Sequence, residues 1–225
     1  EAETQELYEA IRTRRLPGPT AAPPPATVSA PASAALAPTL PLVGRERELN
    51  DLVTLLSSAD GARLVTLIGP GGAGKTRLAQ AVAEQFAGRF THGTHLVSLL
   101  EVTTPTAIIP SLAAALRLPL GSGDVTAHLF GILRDRSLLL VLDNFEHLLD
   151  ATPIVAALLD AAPQIRLLIT SRERLGLGQE LVYALGGLTV PAEDAEDETL
   201  ESGAAQLLLQ RAGLALGGPG RHVSR

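Results

Sequence analysis

Short apolar runs alternate with stretches of helical periodicity through the middle of the chain. Five runs have the length and the Leu, Ile and Val content of buried strands: 63–69, 94–100, 137–143, 165–171 and, more weakly, 180–185. Strands that alternate with helices predict βαβ crossovers. We therefore expect an α/β fold with a mostly parallel sheet flanked by helices.

The stretches between the runs place apolar residues three and four positions apart, as on one face of a helix. The first stretch is LVGRERELNDLVTLLSS, which begins at residue 42 and repeats Leu49, Leu52, Val53, Leu55 and Leu56 with helical spacing. Further helices are predicted at 75–87, near 104–117 and 124–135, at about 145–150, and at 152–161. Residues 42–192 are thus predicted to form one α/β domain.

The composition changes outside this domain. Residues 1–15 predict a short helix that closes a domain upstream. Residues 16–41 hold half of the 16 prolines and otherwise mostly Ala, Thr and Ser, which predicts a Pro/Ala linker between domains. Residues 193–225 predict an amphipathic helix near 198–212 and a disordered tail, as at the start of a further helical domain.

Composition and charge exclude several classes of function. The chain has no cysteine, which rules out a disulfide framework, a Cys-ligated zinc site and a thiol nucleophile. Its net charge is −6 with a single lysine, so we expect no direct DNA binding by this part of the protein. No apolar run approaches the roughly 20 residues that span a bilayer, and the first residue is not Met. We expect a cytoplasmic protein without membrane contact, and a sequence taken from a longer chain.

A glycine-rich segment stands between the first predicted strand and the helix after it. It reads GPGGAGKT, at 69–76, and matches the phosphate-binding pattern G-x-x-x-x-G-K-[ST]. Its glycines let successive backbone N–H groups face phosphate oxygens, Lys75 would reach the β- and γ-phosphates, and the Thr76 hydroxyl would bind Mg²⁺. The alternative is a plain glycine-rich turn. The predicted nucleotide-binding residues here are Gly69, Pro70, Gly71, Gly72, Ala73, Gly74, Lys75, Thr76 and Arg77.

A second magnesium ligand is predicted at Asp143, which closes the most apolar strand, SLLLVLD. Parallel strands end at the same edge of a sheet, so this carboxylate should lie on the same rim as the glycine-rich segment. It would hold Mg²⁺ directly or through water, together with Thr76. The alternative role is to cap the helix that is predicted to start near Phe145.

Two further positions bear on hydrolysis. In many ATPases of this broad class a Glu follows the strand-end Asp and polarises the attacking water, whereas here Asn144 follows and cannot take a proton. Glu146 is a candidate catalytic residue, against the alternative of a solvated or capping carboxylate. We therefore expect slow turnover.

Arg172 is a candidate sensor of the γ-phosphate, because it follows the strand predicted beside the one that ends at Asp143. The alternative is an ordinary surface arginine. The histidines, among them the H-x-x-H pair His92 and His95, have no cysteine or carboxylate pair nearby and do not indicate a metal site.

Five motifs occur in a recognisable order: LVGRERELNDL, LVTLIGPGGAGKTRLA, LLLVLDNFEHLL, LLITSRERL and ELVYALGGLTVP. Over about residues 42–212 they resemble the nucleotide-binding domain of bacterial STAND-class ATPases, the NB-ARC-like modules of large SARP- and LuxR-type transcriptional regulators. The segment ELYEAIR and the linker after it are similar to the end of a SARP-type activation domain. The GLPLA motif and the winged-helix histidine of the family have no counterpart in this sequence.

The resemblance implies a regulatory switch that is closed with ADP and open or self-associating with ATP. It gives Val43, Gly44 and Arg45 a nucleotide contact, because the family's VGRE segment packs on the adenine. The roles argued above for the glycine-rich segment, Asp143 and Arg172 carry over. The implied partners are an adenine nucleotide and further domains of the same polypeptide.

Two other functions stay open from the sequence. A P-loop small-molecule kinase would use the same phosphate cradle, although the segment SRERLGLGQE at 171–180 is short for an arginine-rich lid. An interaction scaffold without nucleotide would keep the fold, although Lys75, Thr76 and Asp143 are all present. We predict an ATP/ADP-binding switch module with slow ATPase activity, in a bacterial multidomain transcriptional or signalling regulator.

Overall fold

The computed structural model describes residues 42–58, 61–120 and 123–187. The predicted N-terminal helix, the Pro/Ala linker, and the predicted C-terminal helix and tail lie outside these residues.

The strands agree with the predicted apolar runs to within two residues at each end. They are β1 Leu64–Ile68, β2 Thr94–Ser98, β3 Leu138–Asp143, β4 Ile165–Ser171 and β5 Glu180–Ala184. Within the described ranges they form one parallel sheet, in the order β2-β3-β4-β1-β5. The predicted α/β fold with a parallel sheet is confirmed.

The helices lie on both faces of this sheet. They are α1 Glu46–Ser57, α2 Lys75–Gln85, α3 Ile108–Ala115, α4 Val125–Leu133 and α5 Thr152–Ala161. The buried residues of α1 and α2 share one hydrophobic cluster, and those of α3, α4 and α5 share another. No helix in the described part of the chain combines the length and the apolar content needed to cross a bilayer.

One predicted helix is wrong. The stretch at about 145–150 forms two short 3-10 turns, Phe145–His147 and Leu149–Ala151. Asn144 has a left-handed backbone with φ of 65°, and Leu148 interrupts the helical geometry between the turns with φ of −121°. The apolar spacing of this stretch resembles that of a helix, but the non-helical backbone of Leu148 ends the first turn after three residues and separates it from the second.

Strand β3 shows why the sheet is buried on both faces. All six of its residues are buried. Leu138, Leu140 and Leu142 belong to the cluster with α3 to α5, whereas Leu139 and Val141 belong to the cluster with α1 and α2. A strand that has to be apolar on both faces reads as a continuous apolar run, because neither face meets water.

The register of the sheet brings the predicted site residues to one edge. Ile68, at the end of β1, is paired with Ser171, at the end of β4. The glycine-rich segment and Arg172 therefore leave neighbouring strands at the same level. Strand β3 lies on the other side of β4 and ends at Asp143. Because all strands are parallel, these chain segments emerge on the same rim.

Thr66, in the middle of β1, is fully buried, and its hydroxyl has no hydrogen-bond partner in the structure. Thr66→Val keeps the shape of the side chain and removes the unsatisfied group, so we expect a gain of about 1 kcal/mol in the free energy of unfolding and a rise of roughly 2–4 °C in Tm. Thermal unfolding measures this. Thr170→Val is the matched control and should destabilise, because the Thr170 hydroxyl donates to Asp143. A lower Tm for Thr66→Val would contradict this account of β1.

Helix α1 is tied to the edge strand β5 by a hydrogen bond of 2.9 Å from the Tyr183 hydroxyl to Asp51 Oδ2. Burial, and then the Asp51 carboxylate, raise the pKa of Tyr183 from 10.0 to about 12. The stability that this bond contributes is therefore complete below pH 10 and is lost as the pH rises through about 12.

We expect an absorbance titration of phenolate to show a midpoint near 12 for Tyr183. The measurement uses a Tyr8→Phe background, because Tyr8 and Tyr183 are the two tyrosines of the chain. Asp51→Asn should lower the midpoint, since it removes the carboxylate that disfavours the phenolate. A midpoint at the ordinary value of 10.0 in the background variant would show that the bond to Asp51 does not form.

Candidate functional site

The glycine-rich segment forms the loop between β1 and α2, as the sequence predicts. Gly74 precedes α2 with φ of 91°. Residues with a Cβ adopt this left-handed backbone conformation only at a cost in free energy. At Gly69 a Cβ would lie 2.6 Å from the Leu185 carbonyl oxygen, too close for any other residue. The loop geometry thus depends on glycine for two separate reasons.

Lys75 holds this loop together from inside. Its ammonium donates to the carbonyl oxygens of Gly69, at 2.8 Å, and Pro70, at 3.0 Å. The charge consequently lies within the curve of the loop, next to the N-terminus of α2. A cation in that position, with free N–H groups at the start of a helix, is suited to bind an anion.

Asp143 is 3% exposed and accepts hydrogen bonds from three side chains. The Thr76 hydroxyl lies 2.9 and 3.0 Å from its two oxygens, Thr170 Oγ1 lies 2.5 Å from Oδ1, and Asn144 Nδ2 lies 3.1 Å from Oδ2. The turn that starts at Phe145 has no side-chain cap. The carboxylate therefore faces the loop through Thr76 and does not cap the following turn.

Thr170 was not predicted to have a role here. Its hydroxyl donates to Asp143 and accepts the backbone N–H of Asn144 at 3.0 Å. These two bonds fix the end of β3 in the orientation that aims Asp143 at Thr76. A polar residue inside the otherwise apolar run IRLLITS was the available signal, since a buried hydroxyl needs a partner.

Arg172 lies against the glycine-rich loop. A Cβ added at Gly71 would come within 3.8 Å of Arg172 Nη2. Arg172 Nε also donates to Glu146 Oε1 at 3.2 Å, while the other carboxylate oxygen of Glu146 is buried without a hydrogen-bond partner. The structure thus brings both predicted residues to the rim of the loop.

Two clefts meet at this loop. One, of about 330 Å³, is lined by loop residues together with Asn144, Glu146 and Arg172. The second cleft, of about 390 Å³, is lined by loop residues, among them Pro70, together with Leu42, Val43, Arg45 and Gly187. Both are bordered by Gly71, Gly72, Gly74 and Arg77. The two clefts therefore adjoin at the loop, and we refer to them together as the groove.

The segment before α1, for which a nucleotide contact is predicted at Val43, Gly44 and Arg45, lies beside the second cleft. Val43 and Arg45 line the second cleft. Gly44 donates its N–H to Glu46 Oε1 at 3.2 Å. Arg45 as a whole residue is 6% exposed. Its guanidinium donates to Glu48 Oε1 and to the Gly186 carbonyl oxygen, each at 2.6 Å. Arg45 thereby joins the two chain segments that form the walls of this cleft.

The histidines near the sheet have structural contacts. His92 Nδ1 accepts the N–H of Ser137 at 3.1 Å, and His95 Nε2 lies 2.9 Å from the His92 carbonyl oxygen. His147 Nε2 lies 2.7 Å from the Val102 carbonyl oxygen. Among the residues that the structure describes, no group of three or more His, Asp or Glu side chains is arranged to hold a metal ion.

The sequence matches the family model of the AAA ATPase domain over residues 41–170. It is 42% identical over 156 residues to an uncharacterized protein of Mycobacterium tuberculosis, which covers 68% of this chain and 39% of that protein. It is 39% identical over 136 residues to a putative HTH-type transcriptional regulator of the same organism, which covers 60% of this chain and 15% of the regulator. The chain thus spans less than half the length of each relative.

Among solved structures, the fold is similar to that of Cdc6p from Pyrobaculum aerophilum. The TM-score is 0.54 and the sequence identity 22%, over 67% of this chain and 48% of that chain. At this level of identity the similarity concerns the fold.

Proposed function

The chain belongs to the AAA ATPase domain family, and on this premise we propose that it binds ATP and ADP with Mg²⁺ as the nucleotide switch of a larger regulatory protein. The observation that carries the proposal is the pairing of Thr76 with Asp143 beside a glycine-rich loop that encloses Lys75. Phosphate and Mg²⁺ need these elements within reach of one another.

The two oxygen-bearing side chains fit a magnesium ion. Mg²⁺ prefers oxygen ligands and keeps several waters, so that one hydroxyl and one carboxylate are a sufficient protein contribution. Thr76 and Asp143 would hold it, and their mutual hydrogen bonds show that their oxygens already face each other. When bound, the ion offsets negative charge on the phosphates.

Different residues of the groove would bind different parts of the nucleotide. The loop N–H groups and Lys75 bind the β- and γ-phosphates, and Lys75 exchanges its carbonyl partners for phosphate oxygens. Arg172, whose Nη2 lies near Gly71, would contact the γ-phosphate. The cleft with Leu42 and Val43 offers apolar surface for the adenine. Arg45 supports that cleft through its bonds to Glu48 and Gly186.

A regulatory role is favoured over a metabolic one. One relative is described as a putative HTH-type transcriptional regulator. The β4–β5 connection is short, and its turn is held by the Glu180 carboxylate, which accepts the N–H groups of Leu175 and Gly176 at 2.8 and 2.7 Å. A kinase lid would need a longer and more mobile segment. We propose a STAND-type, NB-ARC-like module of a bacterial cytoplasmic regulator, which acts with other domains of the polypeptide and self-associates with ATP.

Calorimetric titration of the chain with Mg-ATP and Mg-ADP tests the proposal. We expect saturable binding of both nucleotides and weaker binding when EDTA removes Mg²⁺. The kinase alternative predicts ADP release that depends on an added acceptor. Absence of heat or of a thermal shift with either nucleotide would support a scaffold and contradict a switch.

We expect slow hydrolysis, with turnover below about 1 s⁻¹, the low end of the ordinary enzyme range. Asn144, which follows Asp143 at the position where a general base would be expected, cannot accept a proton. Steady-state phosphate release at saturating Mg-ATP measures this, with Asp143→Asn as the background control. Turnover at or above about 1 s⁻¹ would contradict the slow-switch proposal and favour an enzyme in the ordinary sense.

A further inference from the structure

Glu146 and Arg172 form an ion pair in the cleft that Lys75 and Thr76 also line. We propose that Glu146 competes with the γ-phosphate of ATP for Arg172 and thereby sets how strongly the site prefers ATP over ADP. This inference rests on the proposed function, since it concerns the same groove. It gives Glu146 a role in nucleotide discrimination, which differs from the role of a catalytic base.

The geometry places Arg172 between two acceptors. Arg172 directly follows Ser171, the last residue of β4, which is paired with the last residue of β1. Its Nη2 points to the loop at Gly71, whereas its Nε donates to Glu146 Oε1. The guanidinium therefore lies near both the Glu146 carboxylate and the loop in which a phosphate would bind.

The pair with Glu146 is weak enough to be exchanged. The Arg172 side chain is 65% exposed, and a single hydrogen bond of 3.2 Å joins it to Glu146. Ion pairs of such exposure contribute little, because water screens the charges and side-chain entropy opposes them. A γ-phosphate in the groove offers several charged acceptor oxygens, which suit a guanidinium better than one carboxylate oxygen.

Glu146 itself is held in an unfavourable position. Its side chain is 23% exposed, and its Oε2 is buried without a hydrogen-bond partner in the structure. An unsatisfied buried oxygen of this kind is uncommon in folded proteins and is often found at functional sites. Phe145, which is fully buried, and Asp143 anchor the chain on its N-terminal side. The backbone position of Glu146 therefore does not depend on its bond to Arg172.

The two nucleotides should then give different states of this pair. ADP has no γ-phosphate, so Arg172 keeps its bond to Glu146. With ATP the guanidinium transfers to the γ-phosphate, at the expense of the bond to Glu146. A ligand shifts such an equilibrium only by its differential affinity for the two states. Weakening the pair should consequently strengthen ATP binding and leave ADP binding unchanged.

The test compares Glu146→Gln, Arg172→Ala and the double variant by calorimetry with Mg-ATP and Mg-ADP. Glu146→Gln keeps the size of the side chain and removes its charge. We expect it to raise the ATP affinity, and the ATP-to-ADP affinity ratio, by about two- to fivefold, the effect that corresponds to an exposed ion pair. Arg172→Ala should lower the ATP-to-ADP affinity ratio. In the Arg172→Ala background, Glu146→Gln should not change this ratio further, because Glu146 acts on ATP binding through Arg172. Arg174→Ala, an exposed arginine on the same loop, is the matched control.

The outcomes are distinct. If Glu146→Gln leaves the ratio unchanged and lowers turnover instead, Glu146 is a catalytic base and the competition does not exist. If Arg172→Ala leaves the ratio unchanged, the γ-phosphate does not reach Arg172, and the inference fails while nucleotide binding stands. If the wild type binds neither nucleotide, the proposed function fails as well, and the inference with it.

Discussion

Lys75→Ala should reduce the affinity for Mg-ATP by about 100-fold or more while the fold persists. The ammonium would contact the β- and γ-phosphates, and charge-assisted contacts contribute about 1.5–3 kcal/mol each. Losing two of them amounts to at least about 3 kcal/mol, or roughly two powers of ten in Kd. Lys75 donates to two loop carbonyls, so its contribution to binding is available only when phosphate replaces them.

The fold should survive this change because the Lys75 side chain is only half-buried and packs in neither hydrophobic cluster. Circular dichroism and thermal unfolding provide the check on structure, and calorimetry measures the affinity. Arg89→Ala is the control cation, since its guanidinium lies over the Phe86 ring, 5.3 Å from the centroid, and not at the loop. Equal affinity of the wild type and Lys75→Ala would show that nucleotide does not bind in this loop.

Asp143→Asn should remove most of the dependence of ATP binding on Mg²⁺. The substitution keeps the size of the side chain in a position that is 3% exposed, but it replaces a charged oxygen ligand with a neutral amide. We expect the gain in ATP affinity on adding Mg²⁺ to shrink by about tenfold or more, as for the loss of one charge-assisted contact. Hydrolysis should fall at least as far, because the bound ion would no longer be held against Thr76.

The measurement is a calorimetric titration with ATP at saturating Mg²⁺ and again in EDTA. Asp150→Asn, the same substitution at an exposed position of the same segment, is the matched control and should leave both affinities unchanged. Thr76 and Thr170 donate to Asp143, so Asp143→Asn should also lower Tm modestly as their hydroxyls find a weaker acceptor. An unchanged response to Mg²⁺ would mean that the ion is held elsewhere.

The sheet and the arrangement of its rim could be predicted because they follow from local patterns. The run LLLVLD is buried on both faces, and a parallel sheet carries its last residue to the edge where the glycine-rich loop also emerges. The contact between Thr76 and Asp143, 67 positions apart, is therefore a consequence of topology.

Other features depend on contacts that periodicity does not contain. Arg45 donates to a carbonyl 141 positions away, so its burial follows from how the chain returns after β5. The helix expected at about 145–150 is absent because Leu148 has a non-helical backbone with φ of −121°, which an apolar pattern does not report. The bond between Glu146 and Arg172 likewise depends on the conformations of two side chains on adjacent segments. The bond from the Thr170 hydroxyl to Asp143 joins side chains 27 positions apart on two strands.

Hydrogen exchange of the wild-type chain with and without Mg-ADP tests most directly that nucleotide binds at this loop. We expect slower exchange in the backbone amides of 69–77, because the loop N–H groups bind phosphate, and a smaller effect in 42–45, where the adenine would lie. Mg²⁺ alone should have no such effect. Protection that is absent from 69–77, or that Mg²⁺ produces without nucleotide, would contradict the account.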